Sequence, residues 1–314
     1  MKKYYLFILA FFILMQNTYA SESQSYCFTG AFLADQPVKK DILEFRKDYG
    51  KKPYLVMIFL GWGDFPSERT IKDVYAEDCI LFLTWEPWDA QRKAGIDFNA
   101  LIQGKFDSYI GKLAAMLKEI DKPVLLRFGH EMNGDWYPWS GAKIGANLYI
   151  QAYRHVKEIF NKGKAANVKW VFSINWEDLP RDNRFILYYP GSDYVDYIGI
   201  DGYNWGNSKH WSKWQSFEQI FKARYEQAAI IDKPIIISEF SSSSSGGDKQ
   251  AWIKEALNSI KNMKKIKAFV IFNQDKEADW KFSPGTRAAL ELKKQLRGNY
   301  YKDKNTFKNS SKAL

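Results

Sequence analysis

Eight short apolar runs, separated by segments of helical periodicity, constrain this chain more than any other feature. They span 26–33, 55–61, 79–85, 124–129, 168–174, 195–201, 235–240 and 266–272. Most are apolar at successive positions rather than at alternate ones, as strands buried on both faces require. Between them, Ile102, Phe106, Tyr109, Leu113, Leu117 and Ile120 step by threes and fours, as do Leu148, Ala152, Val156 and Ile159. Phe217, Ile220, Phe221 and Tyr225 repeat that spacing, and so do Trp252, Ala256, Ile260 and Met263. Pro284, after a capping Ser283, is read as opening the last helix. Strands alternating with helices predict a parallel sheet. Eight such units predict an α/β fold, a single (β/α)8 TIM barrel. The helices expected after the second and fifth runs are weakly patterned, which keeps a doubly wound sheet as the competing architecture.

The first twenty residues read as a secretory signal. Lys2 and Lys3 precede an apolar run over 4–15, and Thr18 and Ala20 place small residues three and one before a cut after Ala20. That run falls short of the roughly 20 apolar residues of a membrane helix. The expectation is a secreted or periplasmic protein with no stable membrane insertion after signal cleavage. The rest divides into a barrel domain over 21–297 and a basic, flexible tail over 298–314. Net charge is +10, but seven Lys and Arg lie within 293–314 against Asp303 alone. The excess belongs to the tail and argues against a nucleic-acid partner. Cys27 and Cys79 fit one disulfide in an exported protein and equally fit two buried thiols. His130-Glu131 lacks the second histidine of an HExxH motif, since position 134 is Gly. Neither a metal nor another cofactor is expected.

Active sites of such barrels lie at the C-terminal ends of the strands. Here those ends hold residues that are costly to bury. Trp62 and Asp64 follow the second run, Trp85-Glu86-Pro87-Trp88 end the third, and His130-Glu131 follow the fourth. Asn175-Trp176-Glu177 follow the fifth, Asp201-Gly202-Tyr203-Asn204-Trp205 end the sixth, Glu239 lies at the end of the seventh, and Asn273, Lys276, Asp279 and Trp280 follow the eighth. Two carboxylates at strand tips suit glycosidic cleavage: one protonates the leaving oxygen and the other acts across the sugar ring. Glu131 and Glu239 are the expected pair, with Glu86 a competitor for the acid role.

Alternation in the fourth strand puts Arg127 on the face of Glu131. A buried guanidinium needs an anion, and Glu239 or Asp201 is the expected partner. Pairing with Glu239 would fit that carboxylate for attack, while Glu131, crowded by aromatics, holds its proton longer. His130 is expected to bond a sugar hydroxyl or orient a carboxylate, and Tyr203 to donate to the nucleophile. Trp85, Trp136, Trp176 and Trp280, with Asn175, are expected to line a sugar cleft in which pyranose faces stack on indoles.

The run His-Glu-Met-Asn-Gly-Asp-Trp-Tyr-Pro-Trp at 130–139 resembles the signature of glycoside hydrolase family 26. The likeness continues in order through Thr84-Trp85-Glu86-Pro87-Trp88, Asp201-Gly202-Tyr203, Ser238-Glu239-Phe240, Phe272-Asn273, Lys276 and Asp279-Trp280. It implies a retaining (β/α)8 hydrolase with Glu131 as acid/base, Glu239 as nucleophile, Tyr203 beside it, aromatic platforms at Trp136 and Trp280, and no metal. The implied activity is that of a secreted endo-β-glycanase. The implied partner is a β-linked polysaccharide or oligosaccharide, β-1,4-mannan or β-1,3-1,4-glucan, cleaved by double displacement. Mannanases of the family continue with Trp-Phe-Trp-Trp-Gly. Trp136-Tyr137-Pro138-Trp139-Ser140 stands here instead, nearer the lichenase and xylanase branches, and Lys281 stands where many members have Arg. A transglycosylase or exopolysaccharide-processing hydrolase would use the same residues. A catalytically inactive polysaccharide-binding barrel is the third reading, against which the retention of both carboxylates argues.

Overall fold

The computed structural model describes residues 26–89 and 93–304. The expected signal segment and residues 305–314 of the expected tail lie outside the described residues.

Eight parallel strands form one closed sheet: β1 (Cys27–Phe32), β2 (Leu55–Leu60), β3 (Ile80–Trp85), β4 (Val124–Phe128), β5 (Val168–Asn175), β6 (Tyr197–Asn204), β7 (Ile235–Ser242) and β8 (Ile266–Phe272). Closure is direct, because β8 pairs with β1, Phe28 opposite Ala268 and Phe32 opposite Phe272. The fold is therefore the (β/α)8 barrel and not the doubly wound sheet. Around it run α1 (Lys39–Tyr49), α2 (Glu68–Ala76), α3 (Asp107–Glu119), α4 (Ala146–Lys162), α5 (Phe217–Ala229), α6 (Lys249–Asn262) and α7 (Arg287–Leu296). Weakly patterned α2 forms with a strong start: Ser67 caps it, its hydroxyl accepting the Thr70 N–H. After β5 only two short 3-10 turns occur, Phe185–Tyr188 and Ser192–Tyr194. The last helix starts at Arg287 rather than at Pro284. Gly285 takes a φ of +86°, and Thr286, not Ser283, caps the helix by accepting the Ala289 N–H.

Alternation sorts the strand side chains into two layers. Phe28, Leu55, Met57, Phe82, Leu125, Val171, Ile236 and Val270 fill the barrel. Val56, Leu81, Leu126, Phe172, Ile237 and Phe269 face the helices. Each such side chain, fully buried, contributes about 1.5–3 kcal/mol, so the strands are anchored from both sides.

Two strands break the alternation, β8 near its start between Ile266 and Ala268, and β7 at the rim. Ile237 of β7 lies opposite Ile200, yet Glu239 lies opposite Asp201; on the other side Ile237 faces Phe269 and Phe240 faces Ile271. One extra residue is thus bulged out at Ser238–Glu239 against both neighbours. Strict alternation would place Glu239 with Ile235 and Ile237 on the helix side. The bulge turns Glu239 into the barrel beside Ser238, which alternation from Ile236 already points inward, and gives the outer position to Phe240.

The chain stays packed beyond the boundary expected at 297. Tyr301–Lys302 pairs in parallel with Cys27–Phe28, and Tyr301 is fully buried. Cys27 and Cys79 are free, buried thiols. One begins β1 and the other precedes β3, with β2 between them. At roughly 4.8 Å per strand that separation exceeds the roughly 7 Å a disulfide can span. No helix among the described residues is long and apolar enough to cross a membrane.

Candidate active site

β4 ends at Phe128 and the chain then turns sharply, Gly129 at φ +56° and Glu131 at φ +53°. A non-glycine residue in the left-handed region costs about 1–3 kcal/mol and persists where its surroundings hold it. The Glu131 N–H donates to the Ser173 carbonyl (2.9 Å), and the Gly134 N–H donates to the Glu131 carbonyl (2.9 Å). Strand alternation stops at Phe128, so this turn, and not the strand's pleat, aims Glu131.

Arg127 lies two positions before the turn, fully buried inside the barrel. Its Nε donates to Thr84 Oγ1 (2.6 Å), and Nη1 donates to Asp201 Oδ2 (2.8 Å) and Ser173 Oγ (3.3 Å). Nη2 donates to Glu239 Oε1. Asp201 is held further by the hydroxyls of Ser173 (3.0 Å) and Ser238 (2.7 Å). Both partners expected for Arg127 are therefore present at once. Burial opposes the guanidinium charge, but Asp201 and Glu239 outweigh it and raise the Arg127 pKa. Gly199 makes room for this network: a Cβ there would lie 2.5 Å from the hydroxyls of both Ser173 and Ser238.

Glu239 also accepts a hydrogen bond on Oε2 from the Tyr203 phenol, as expected. Two donors, one of them cationic, suit a carboxylate anion. Glu131 differs. Its hydrogen-bond partner is the Trp136 indole, Nε1 to Oε2 at 3.0 Å. Burial first, then Asp201 and Glu239, push its pKa well above the ordinary carboxylate range. One guanidinium faces three carboxylates: it pairs with Asp201 and Glu239 and leaves Glu131 without a charged donor. That division of roles is what acid catalysis beside an anionic nucleophile requires.

The surroundings sort the remaining expectations. His130 is buried beside Glu131; burial, then Arg127, hold its pKa well below the ordinary histidine value, so the ring is neutral. Its Nε2 bonds Tyr137 Oη (3.1 Å), while Nδ1 has no partner among the described residues. Trp136, 42% exposed, offers an open ring next to the acid. Trp85 does not line the cleft. It shares the outer face of β3 with Leu81 and Leu83, stacks on Trp62 (4.9 Å) and is fully buried. Trp176 also packs against the helix-side core. Asn175 points inward, but its amide donates to the Glu177 carbonyl (2.9 Å), which makes it a loop brace. Trp280 lies beside Tyr203 (4.9 Å), yet it is 1% exposed and presents no open face.

Several structural roles escaped the sequence reading. Thr84, Ser173 and Ser238 hold Arg127 and Asp201, and their signal was polarity inside otherwise apolar strands. Asn133 ties the loops after β4 and β5: Oδ1 accepts the Asn175 N–H (2.8 Å) and Nδ2 donates to the Asn175 carbonyl (3.0 Å). Tyr137, bonded to His130, stacks on Trp139 at 4.2 Å. Glu86 ends half-buried at the rim, and burial pushes its carboxyl up to about 7. Among the described residues, no group of three or more His, Cys, Asp or Glu side chains converges as a metal ion would need.

Known proteins share this chain's sequence and fold. Residues 88–276 match the model of glycosyl hydrolase family 26. Over 275 residues the chain is 42% identical to Endoglucanase H of Acetivibrio thermocellus, covering 85% of this chain and 30% of that protein. It is 26% identical over 168 residues to a mannan endo-1,4-beta-mannosidase of Bacillus subtilis, covering 50% of this chain and 42% of that one. In both cases the chain spans less than half the relative's length. Bacillus subtilis mannanase man26 shares the fold, with a TM-score of 0.67 at 17% identity over 92% of this chain and 90% of that one. The family match, covering more than half of the sequence and including Glu131, Tyr203 and Glu239, shows that this chain belongs to glycosyl hydrolase family 26.

Proposed function

We propose that the chain is an exported, retaining endo-β-glycanase whose substrate is a β-glucan. The carrying observation is the unequal treatment of two carboxylates: Glu239 receives Arg127 and Tyr203, while Glu131 receives only an indole N–H. In the first step Glu239 attacks the anomeric carbon as Glu131 gives its proton to the departing oxygen. Ester formation removes the negative charge of Glu239, one of the causes that raise the Glu131 pKa. Glu131 then becomes the better base and takes a proton from the water that resolves the ester, restoring the starting configuration. Arg127 and Tyr203 orient Glu239 in both steps. The open Trp136 ring beside Glu131 suits the sugar on the leaving-group side.

The β-glucan reading rests on the 42% identity to a relative named as an endoglucanase. Relatives named as mannosidases reach 25–34% identity over shorter stretches. Tyr137-Pro138, in place of the mannanase run, points the same way. Export rests on the first twenty residues, and N-terminal sequencing of the released protein tests it. The substrate is tested by incubating the chain with mixed-linkage β-glucan, β-mannan and β-1,3-xylan, with Glu239→Ala as control. Mixed oligosaccharides from β-glucan, absent with the variant, are expected. Cleavage of mannan or xylan alone would overturn the β-glucan assignment, and equal activity of the variant would overturn the mechanism.

A further inference from the structure

The loop after β6, residues 205–214, holds Trp205, Trp211 and Trp214 and no acidic residue. Trp211 is 62% exposed, more than any other described tryptophan. The loop that carries it is braced. Asn204 Oδ1 accepts the N–H groups of Gly206 (3.2 Å) and Gln215 (2.9 Å), while its Nδ2 donates to Ser242 Oγ (2.9 Å). Both ends of the loop are thereby tied to β6 and β7. At the tip, the Ser212 N–H donates to the Lys209 carbonyl (3.1 Å) and the Lys209 N–H to Ser212 Oγ (3.2 Å), closing a turn that presents Trp211.

Aromatic rings lead inward from that tip. Trp211 lies 5.2 Å from Trp205, Trp205 lies 4.7 Å from Trp280, and Trp280 lies 4.9 Å from Tyr203, which donates to Glu239. Lys209 Nζ sits 5.7 Å from the Trp205 ring centre. We propose that Trp211, with Trp205 and Lys209, forms an outer subsite that stacks a hexopyranose unit of the same glycan chain that reaches Glu239. This rests on the glycanase reading above. A sugar suits the place because its C–H face packs on an indole while its hydroxyls need neighbouring donors, which Lys209 supplies. A protein partner would call for a contiguous apolar patch, whereas the neighbours of Trp211 in sequence are His210 and Ser212. Because the loop is already ordered, binding there loses little conformational freedom.

The test is Trp211→Ala, with Trp211→Phe as the conservative variant, assayed on the polymer, on oligosaccharides of increasing length and on an aryl disaccharide. KM for the long substrates rises about tenfold in the Ala variant. The Phe variant restores most of it, and kcat and the aryl disaccharide are untouched. An unchanged KM at every length overturns the subsite, as does an equal loss on the aryl disaccharide. Calorimetric titration of Glu239→Ala, with and without Trp211→Ala, using the longest oligosaccharide separates this proposal from the glycanase reading. Weaker binding in the double variant supports the subsite even if no turnover is seen; equal binding overturns it even if turnover is normal.

Discussion

Arg127→Met removes the cation that holds the centre of the barrel together. Methionine preserves the apolar stem among Met57, Phe59 and Phe82, so little cavity is created. What is lost is the guanidinium between Asp201 and Glu239, whose side chains are 0% and 8% exposed. Removing one partner of a buried ion pair costs about 3–5 kcal/mol, because the charge left behind is uncompensated. Two carboxylates are stranded here, but one relieves the strain by taking up a proton, which holds the cost within that range. For a domain of this size each kcal/mol corresponds to about 2–4 °C, so the melting temperature falls by about 6–20 °C. The sign of the pH dependence follows from Asp201. Burial already pushes it up to about 7 against the pull of Arg127, with Glu239 adding to the rise. Without the guanidinium it rises further. A carboxylate raised in the folded state loses stability as pH climbs from its unfolded pKa to its folded one. The wild-type loss ends near 7 while the variant's continues, so the gap between them widens from pH 6 to pH 9. Scanning calorimetry at those two pH values, with kcat on an activated aryl β-glycoside, checks both parts. The loss of Glu239's charged donor lowers kcat by about 10- to 100-fold. A variant that melts within about 2 °C of the wild type at pH 9, or a gap that narrows with pH, refutes the reasoning.

Glu131→Gln spares the first step on substrates whose leaving group needs no proton but abolishes polymer cleavage. It also removes the alkaline limb of the kcat/KM profile, because that limb reports the deprotonation of Glu131 at its raised pKa; Glu86→Gln keeps the limb, and its disappearance there would move the acid role to Glu86. Deleting Ser238 removes the β7 bulge yet leaves Glu239 facing the barrel, because Ile237 outward, Glu239 inward and Phe240 outward is then plain alternation. What is lost is the Ser238 hydroxyl on Asp201, so activity on every substrate falls while circular dichroism still reports a barrel, and unchanged activity would contradict that hydroxyl's role. Trp85→Phe lowers stability by about 1–3 kcal/mol through lost packing and leaves KM on the polymer unchanged, since the ring faces the helices; a selective rise in KM would return Trp85 to the cleft.

The barrel was legible because strands buried on both faces read as unbroken apolar runs. The helix after β5 was weakly patterned because no α-helix stands there. The chemistry at the rim was legible where a polar residue could be paired by charge, and Arg127 is the clearest instance: a guanidinium inside an apolar strand demanded an anion, and both Asp201 and Glu239 answer it. Orientation was not legible to the same degree. Trp85 and Glu239 each end a strand, and position along a strand does not say which face a side chain takes. Alternation from Leu81 and Leu83 would have placed Trp85 outward. The same rule would have placed Glu239 outward too, where the bulge reverses it. Nothing local in Ile-Ser-Glu-Phe announces an extra residue, because its cause lies in the pairing with Asp201 and Phe269. The left-handed backbone of Glu131 was likewise hidden, being imposed by Ser173 on the next strand.

The assignment of Glu239 as nucleophile and Glu131 as acid is tested most directly by trapping the covalent intermediate. The wild-type chain is incubated with an activated 2-deoxy-2-fluoro β-glucosyl oligosaccharide, digested, and mapped by mass spectrometry. The account predicts one glycosylated peptide, carrying its label on Glu239, and no label in Glu239→Ala. A label on Glu131 or Glu86 would contradict it.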